Sequence, residues 1–300
     1  MDAAITQTIN KFLGISNVDN ALRIAPTIIS HEYVYPLREA NNVEIDNSYG
    51  LKSRSGYTSV KAGTDVHSLW SDGKVCFYVD GQILYQLLSG YSVVTIKGGL
   101  SYKRRMSYAS VNDRVYYTNG EIIGYVSKNV DHALPAPGRE FKEPLPPGKF
   151  IEYYRGCLYV AGGNVLYISD PLCDYYDTRT GYRLFSKDIT MLRSVDNGLY
   201  VSDEKVWFIK GKGADEAERE EVYPSPTIPY TDIKIPGKYI KDELEGEVAM
   251  WTSQNGICVG GGNGEVVNLT DERMNLSPTA QGAAFLKEVG HVRHYINSLF

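Results

Sequence analysis

His291 and His294, in VGHVRHYIN, are the closest pair of metal-capable imidazoles in the chain. The surrounding Val, Tyr and Ile favour a strand, where a three-residue offset sends the two rings to opposite faces. A metal site instead exploits helical spacing that brings both to one face. The pair therefore reads as exposed strand histidines, and His31, His67 and His132 are isolated. No Gly-x-Ser-x-Gly elbow, Cys-x-x-Cys pair or glycine-rich loop ending in Lys-Ser/Thr is present. The acidic run Asp215, Glu216, Glu218, Glu220, Glu221 could draw a calcium ion, but it lacks the ordered ligand alternation and glycine of a calcium loop. It reads as a solvated face or loop. Carboxylates leave one route to catalysis open: the chain has 36 acidic residues, and spacing alone does not rank them as glycoside-cleaving pairs. No catalytic residue, cofactor or metal ligand is assigned.

Bulk properties narrow the partners. The 300 residues carry 31 Lys and Arg against 36 Asp and Glu, a net charge of −5, where a protein held on phosphates shows a basic excess. Lys103-Arg104-Arg105 is the tightest basic cluster and reads as a solvated strand end. Tyrosine, at 24 residues against 8 Phe and 3 Trp, suits half-buried strands and protein interfaces. No apolar run reaches the length of a membrane span and the N-terminus shows no basic leader, so synthesis and retention in the cytoplasm are expected.

The elements that must carry these residues announce themselves in VCFYVDGQILYQL, residues 75–87. Two aromatic-rich runs flank Asp80-Gly81, which supplies the positive φ of a tight hairpin turn. The same grammar returns in RVYYTNGEIIGYV (114–126), GCLYVAGGNVLYI (156–168), GLYVSDEKVWFI (198–209) and GICVGGGNGEVVNL (256–269). With Gly81, Gly120, Gly162, Glu204 and Asn263 as matched turn residues, the steps are 39, 42, 42 and 59 positions. Strand-like runs precede each hairpin (66–70, 105–111, 149–154, 189–195, 247–253), and 91–99 adds a fourth strand after the first. Units of this length with about four strands predict an all-β fold, a β-propeller of five or six blades, because stacking lets each small sheet bury both faces. Residues 61–300 form the propeller. The long last step reads as a loop insertion at 211–238, where Pro224, Pro226, Pro229 and Pro236 lack ladder donors, and the proline-rich 133–149 reads likewise.

The cysteines agree with the repeat. Cys76, Cys157 and Cys258 each lie five positions before their turn residue, where the other units have Val115 and Leu199. They read as unpaired core residues, and Cys173 as a free loop thiol.

Residues 1–60 precede the repeats as an arm and first hairpin. Ile5, Ile9, Phe12 and Leu13 share one helical face, too short to be stable without a partner surface. A hairpin about Asn47 to Gly50 follows, able to supply a strand to the ring. Here FLGISNVD, then LREANNVEIDNSYGLKSRSGYTSV, then tyrosine-rich repeats, then GAAFLKEVGHVRHYINSL resemble a family of bacteriophage virion proteins. The matching positions are Leu37, Arg38, Ala40, Asn42, Val43, Ile45, Asp46, Gly50, Leu51, Arg54, Gly56 and Tyr57.

The resemblance implies a non-enzymatic tail hub, nozzle or head-to-tail connection component of short-tailed phages. In that role it sits in the virion as a ring of copies beside other tail or connector proteins, with DNA passing nearby and not bound by sequence. An acidic chain suits such a channel, since basic walls would hold the phosphates. Subunit contacts are expected at Ile9, Phe12, Leu13, Tyr33, Tyr35, Tyr223, Pro226 and Tyr230. The alternative is a propeller that binds or degrades bacterial surface polysaccharide.

Overall fold

The computed structural model describes residues 9–18, 25–46, 48–241, 244–270, 273–277, 279–289 and 292–300. Gly81 takes φ +61 between the paired Asp80 and Ile83, closing the first hairpin as its sequence requires.

The N-terminal region holds β1 (Phe12–Ile15), β2 (Thr27–Ile29), β3 (Glu32–Leu37), β4 (Val43–Ile45) and β5 (Leu51–Ser53). The first blade is β6 (Val66–Ser71), β7 (Cys76–Asp80), β8 (Ile83–Leu87) and β9 (Val93–Lys97). The second is β10 (Ser107–Val111), β11 (Arg114–Thr118), β12 (Ile123–Ser127) and β13 (Val130–His132). After β14 (Lys142–Pro144) come β15 (Phe150–Tyr154), β16 (Cys157–Gly162), β17 (Val165–Ile168), β18 (Tyr175–Asp177) and β19 (Tyr182–Leu184). The third blade is β15-β16-β17-β19, while β14 pairs with β18 outside it. The fourth is β20 (Met191–Val195), β21 (Gly198–Ser202), β22 (Val206–Lys210) and β23 (Glu218–Tyr223). The fifth is β24 (Ile233–Pro236), β25 (Glu247–Ser253), β26 (Gly256–Gly260) and β27 (Val266–Asn268), and the chain ends in a hairpin of β28 (Gly282–Val289) and β29 (Val292–Leu299).

Each of the five blades is an antiparallel meander, and from blade two to blade five the first strands are neighbours: β10 lies beside β15, β15 beside β20 and β20 beside β24. This sets the first strands around a common axis. Strand β16 shows why the sheets stack. Leu158 and Val160 pack toward blade two with Ala109 and Tyr116, while Cys157, Tyr159 and Ala161 pack toward blade four with Leu192, Leu199 and Val201. A strand buried on both faces reads as a continuous apolar run, not an alternating one. The same sandwiching joins blades one and two through Phe77, Val79, Tyr108 and Tyr117, and blades four and five through Tyr200, Phe208 and Trp251.

The fifth unit is out of phase with the sequence expectation. Strand β24 lies against β20, with Lys234 Nζ 3.2 Å from Ser194 Oγ, so it occupies the first-strand place. The second-to-third turn of this blade is therefore Gln254-Asn255, 50 positions after Glu204, and Asn263 belongs to the third-to-fourth turn. The supposed loop insertion at 211–238 contains two ring strands, β23 and β24. Its prolines concealed them, yet Pro236 ends β24 opposite Glu247, and Pro224, Pro226 and Pro229 fall between strands. The 133–149 connection likewise contains β14. Because of the phase shift, Cys258 is a third-strand residue and not the counterpart of Cys157. Both are fully buried, but Cys76 is only half-buried, so the core reading fails for it. None of the four cysteines, all among the described residues, forms a disulfide.

Beyond blade five lies the β28-β29 hairpin. Leu286 and Tyr295 pack on the outer face of blade five against Ile235, Val248, Met250 and Val259. Tyr295 Oη donates to the Thr231 carbonyl at 2.6 Å, and Asn297 donates to Thr252 Oγ1 at 3.1 Å.

The arm departs from the helical expectation. Phe12–Ile15 is strand β1, paired parallel with β3, which also pairs antiparallel with β2. The β-rich run Glu32–Leu37 offers ladder partners that a nine-residue helix could not match. Ile5 lies outside the described residues. The expected hairpin forms as β4-β5, with Asp46 Oδ1 accepting from Ser48 N at 2.8 Å and Gly50 N at 2.9 Å. Among the described residues it is a separate two-stranded sheet and adds no strand to a blade. Asn17 ties the arm to the chain beyond β27, its N–H reaching the Arg273 carbonyl at 2.9 Å and its side chain exchanging bonds of 2.9 and 2.8 Å with Asn275. No helix among the described residues is long and apolar enough to cross a membrane.

Candidate functional site

Where the first strands begin, charged side chains from four blades converge. Arg105 stands two residues before β10, Lys149 one before β15, and Asp232 one before β24, while Glu152 and Arg193 lie within β15 and β20. Arg193 donates from Nε and Nη2 to Asp232 Oδ2 at 2.8 and 2.6 Å, and from Nη1 to Glu152 Oε2 at 3.1 Å. Its side chain keeps 23% of its exposure, against 7% for Glu152 and 2% for Asp232. Burial acts to lower the Arg193 pKa, but the Asp232 and Glu152 carboxylates outweigh it and hold the guanidinium above its usual value. One planar fork thus joins three blades, and both carboxylates are committed to it.

Next to this tie, Arg105 holds its guanidinium carbon 4.3 Å from the centre of the Tyr230 ring and donates from Nη1 to the Gly282 carbonyl. Lys149 Nζ stands 5.3 Å from the same ring and 5.5 Å from that of Phe150. Burial pushes the pKa of both cations down. For Arg105 the Tyr230 and Asp232 charges oppose the shift, and for Lys149 Asp188 opposes it while Arg105 adds to it. Tyr230 packs on Phe150 at 5.1 Å, its phenol pushed up to about 12 by burial. It takes φ +66, a left-handed backbone that a bulky aromatic rarely adopts. His67, in the first strand of blade one, bonds through Nδ1 to Ser68 Oγ at 2.8 Å, and Ser68 Oγ accepts the Met106 N–H at 2.8 Å. Burial lowers the His67 pKa, Arg105 lowers it further, and Asp65 and Asp80 oppose the shift.

A cavity of about 690 Å³ opens near the same end of the ring, bordered by Asp188, Asp203, Pro226, Thr227 and Gln254. Asp203 is occupied structurally, accepting from Ser186 N, Lys205 N and Trp207 Nε1.

The expected contact residues fall into separate places. Ile9 and Tyr33 are exposed, at 49% and 58%, whereas Phe12, Leu13 and Tyr35 are half-buried within the arm sheet. Tyr223 packs inside the junction of blades four and five and accepts from Asn268 at 3.3 Å. Pro226 borders the cavity, and Tyr230 belongs to the axial group. His294 lies on β29, and His291 is outside the described residues. Among the described residues no three His, Cys, Asp or Glu side chains cluster as a metal site, and Glu220 and Glu221 of the acidic run pair with Lys210 at 2.8 Å and Lys205 at 2.7 Å.

The sequence pointed to Tyr230 but not to the charged residues of the axial group, and it placed Arg105 at a solvated strand end. Their shared signal is positional: each sits at or near the start of a first strand.

No family model matches the chain, and no curated protein matches it. Among solved structures it is similar to BBS1N, from its complex with ARL6DN, at a TM-score of 0.50 and 11% identity over 83% of this chain and 82% of that one. It is also similar to the WD40 β-propeller domain of Doa1, at 0.45 and 10% over 71% and 70%. A third is virginiamycin B lyase from Staphylococcus aureus, at 0.45 and 12% over 92% and 94%. Identities this low speak to fold alone. The chain is an all-β protein of the β-propeller class.

Proposed function

We propose that the chain is a non-enzymatic virion structural protein of a short-tailed phage, a tail hub, nozzle or head-to-tail component that assembles as a ring of copies around the DNA exit path. The observation that carries this reading is the N-terminal region. Its residues from Leu37 to Tyr57 follow the order seen in the resembling phage proteins, and they belong to an arm built outside the blades. That arm presents Ile28 at 64% and Tyr33 at 58% exposure, the kind of apolar and tyrosine surface that subunit contacts use. Rings require two different patches to meet, and an external arm against a neighbour's blades supplies such a heterologous pair. Propellers host many unrelated activities, so the reading rests on this region and not on the fold.

Particle assembly tests it. Virions carrying a deletion of residues 1–25, which removes β1, should fail to assemble or infect, while light scattering should show wild-type protein forming rings or joining a tail partner. Unchanged assembly and infectivity of the deletion would overturn the arm's role. Absence of the chain from purified virions, probed with a specific antibody, would overturn the whole reading.

A further inference from the structure

Arg105 and Lys149 differ from the other charges of the axial group in having no ion-pair partner among the described residues. The adjacent carboxylates, Glu152 and Asp232, are both taken by Arg193. Asp188, whose charge acts on Lys149, makes no ion pair with it. Two half-buried like charges, each over the same Tyr230 ring, repel one another and lose hydration, a cost that cation–π contact only partly offsets. An anion between them would remove that cost.

Tyr230 is built into position. Its strained backbone is held by Thr231, whose N–H and Oγ1 donate to the Ile228 carbonyl at 3.3 and 2.7 Å, and by Gly282 N–H on the Pro229 carbonyl at 2.9 Å. Strain of this kind persists only where the surroundings over-determine it, and it gathers at ligand sites. The phenol makes no hydrogen bond with the described residues and is free to donate.

We infer that Arg105, Lys149 and Tyr230 form a binding site for an oxyanion, the phosphate or carboxylate group of a small ligand entering the ring at this end. The guanidinium and ammonium, both close to the Tyr230 ring, supply charge-assisted hydrogen bonds, and the phenol can add a third. Glu152, Asp232 and Asp188 keep the group from becoming strongly basic, which favours one anionic group over a polyanion.

Thermal unfolding and calorimetric titration of the full chain, with chloride at matched ionic strength as reference, test the assignment. Inorganic phosphate and glucuronate are the probes. At least one should bind and raise the melting temperature above the chloride reference, with phosphate preference marking a phosphate ester and glucuronate preference an acidic sugar. R105Q and K149Q should each weaken binding by about tenfold or more. Arg105 also holds the Gly282 carbonyl, so K149Q, which removes an ammonium that makes no hydrogen bond with the described residues, is the cleaner variant. The site is refuted if neither probe binds above chloride, or if folded K149Q binds as tightly as wild type.

Discussion

At the residue scale, the Arg193 fork shows how magnitudes decide a role. Its two acceptors are nearly sealed, so removing the guanidinium strands two buried carboxylates, a change that typically costs about 3–5 kcal/mol. R193M should lower stability by about that amount in denaturant titration, and adding D232N and E152Q should recover a large part of it. His67 gives a pH signature. Burial depresses its folded pKa below the ordinary 6.5, so as pH falls through that value the unfolded chain takes up the proton first. Stability should therefore be full above pH 6.5, fall as pH drops below it, and level off once folded His67 is also protonated. H67Q should flatten that slope. The cysteines supply a third check: a thiol reagent should label Cys76 and Cys173 well before Cys157 and Cys258, whose Sγ atoms open only with the blades. The burial of Cys157 and Cys258 was legible from the repeat, but the roles of the axial charges were not. Arg105 sits in a plain basic triplet and Asp232 in a proline-rich stretch, and only the convergence of four blades makes them neighbours.

At the element scale, hairpins were legible because their turns carry local chemistry, as Gly81 does with its positive φ. The fifth blade was misphased for an equally local reason. Its first strand is only four residues, IKIP, and ends in proline, while the more conspicuous hairpin around Gly260 to Gly264 lies one strand later. The outer strand of blade four, EREEVY, was hidden by its charge. An outer strand exposes both faces, and its glutamates answer Lys205 and Lys210 across the ladder instead of packing. Trp251, wholly buried between blades four and five against Tyr200, reports on that junction. W251A should cost about 3–5 kcal/mol by denaturant titration, and a loss below about 1 kcal/mol would contradict the tight stacking of these two sheets.

For the whole molecule, the issue is how the N-terminal region is held to the C-terminal hairpin. The Asn17 bonds to Arg273 and Asn275, and the 3.6 Å pair of Lys287 with Glu44, join the N-terminal region to the segment before β28 and to β28 itself. These contacts are few, and those of Asn17 are exposed, whereas the seams of blades two to four are buried, so opening should begin there. Hydrogen exchange should show N17A raising amide exchange in residues 9–57 and 273–300 together, with β15, β16 and β20 unchanged. Faster exchange confined to the arm would mean that it does not support the closing hairpin.

By itself the sequence determined that this chain folds as serial antiparallel sheets, because turn chemistry and apolar runs act over a few residues and repeat at a near-constant step. It also determined that the four cysteines lack the paired spacing of a metal or redox motif. Tertiary structure alone decided the phase of the fifth blade, the docking of the terminal hairpin on it and the axial charge cluster. Those depend on which first strands become neighbours around the axis, and contacts between residues tens of positions apart leave no mark on local pattern.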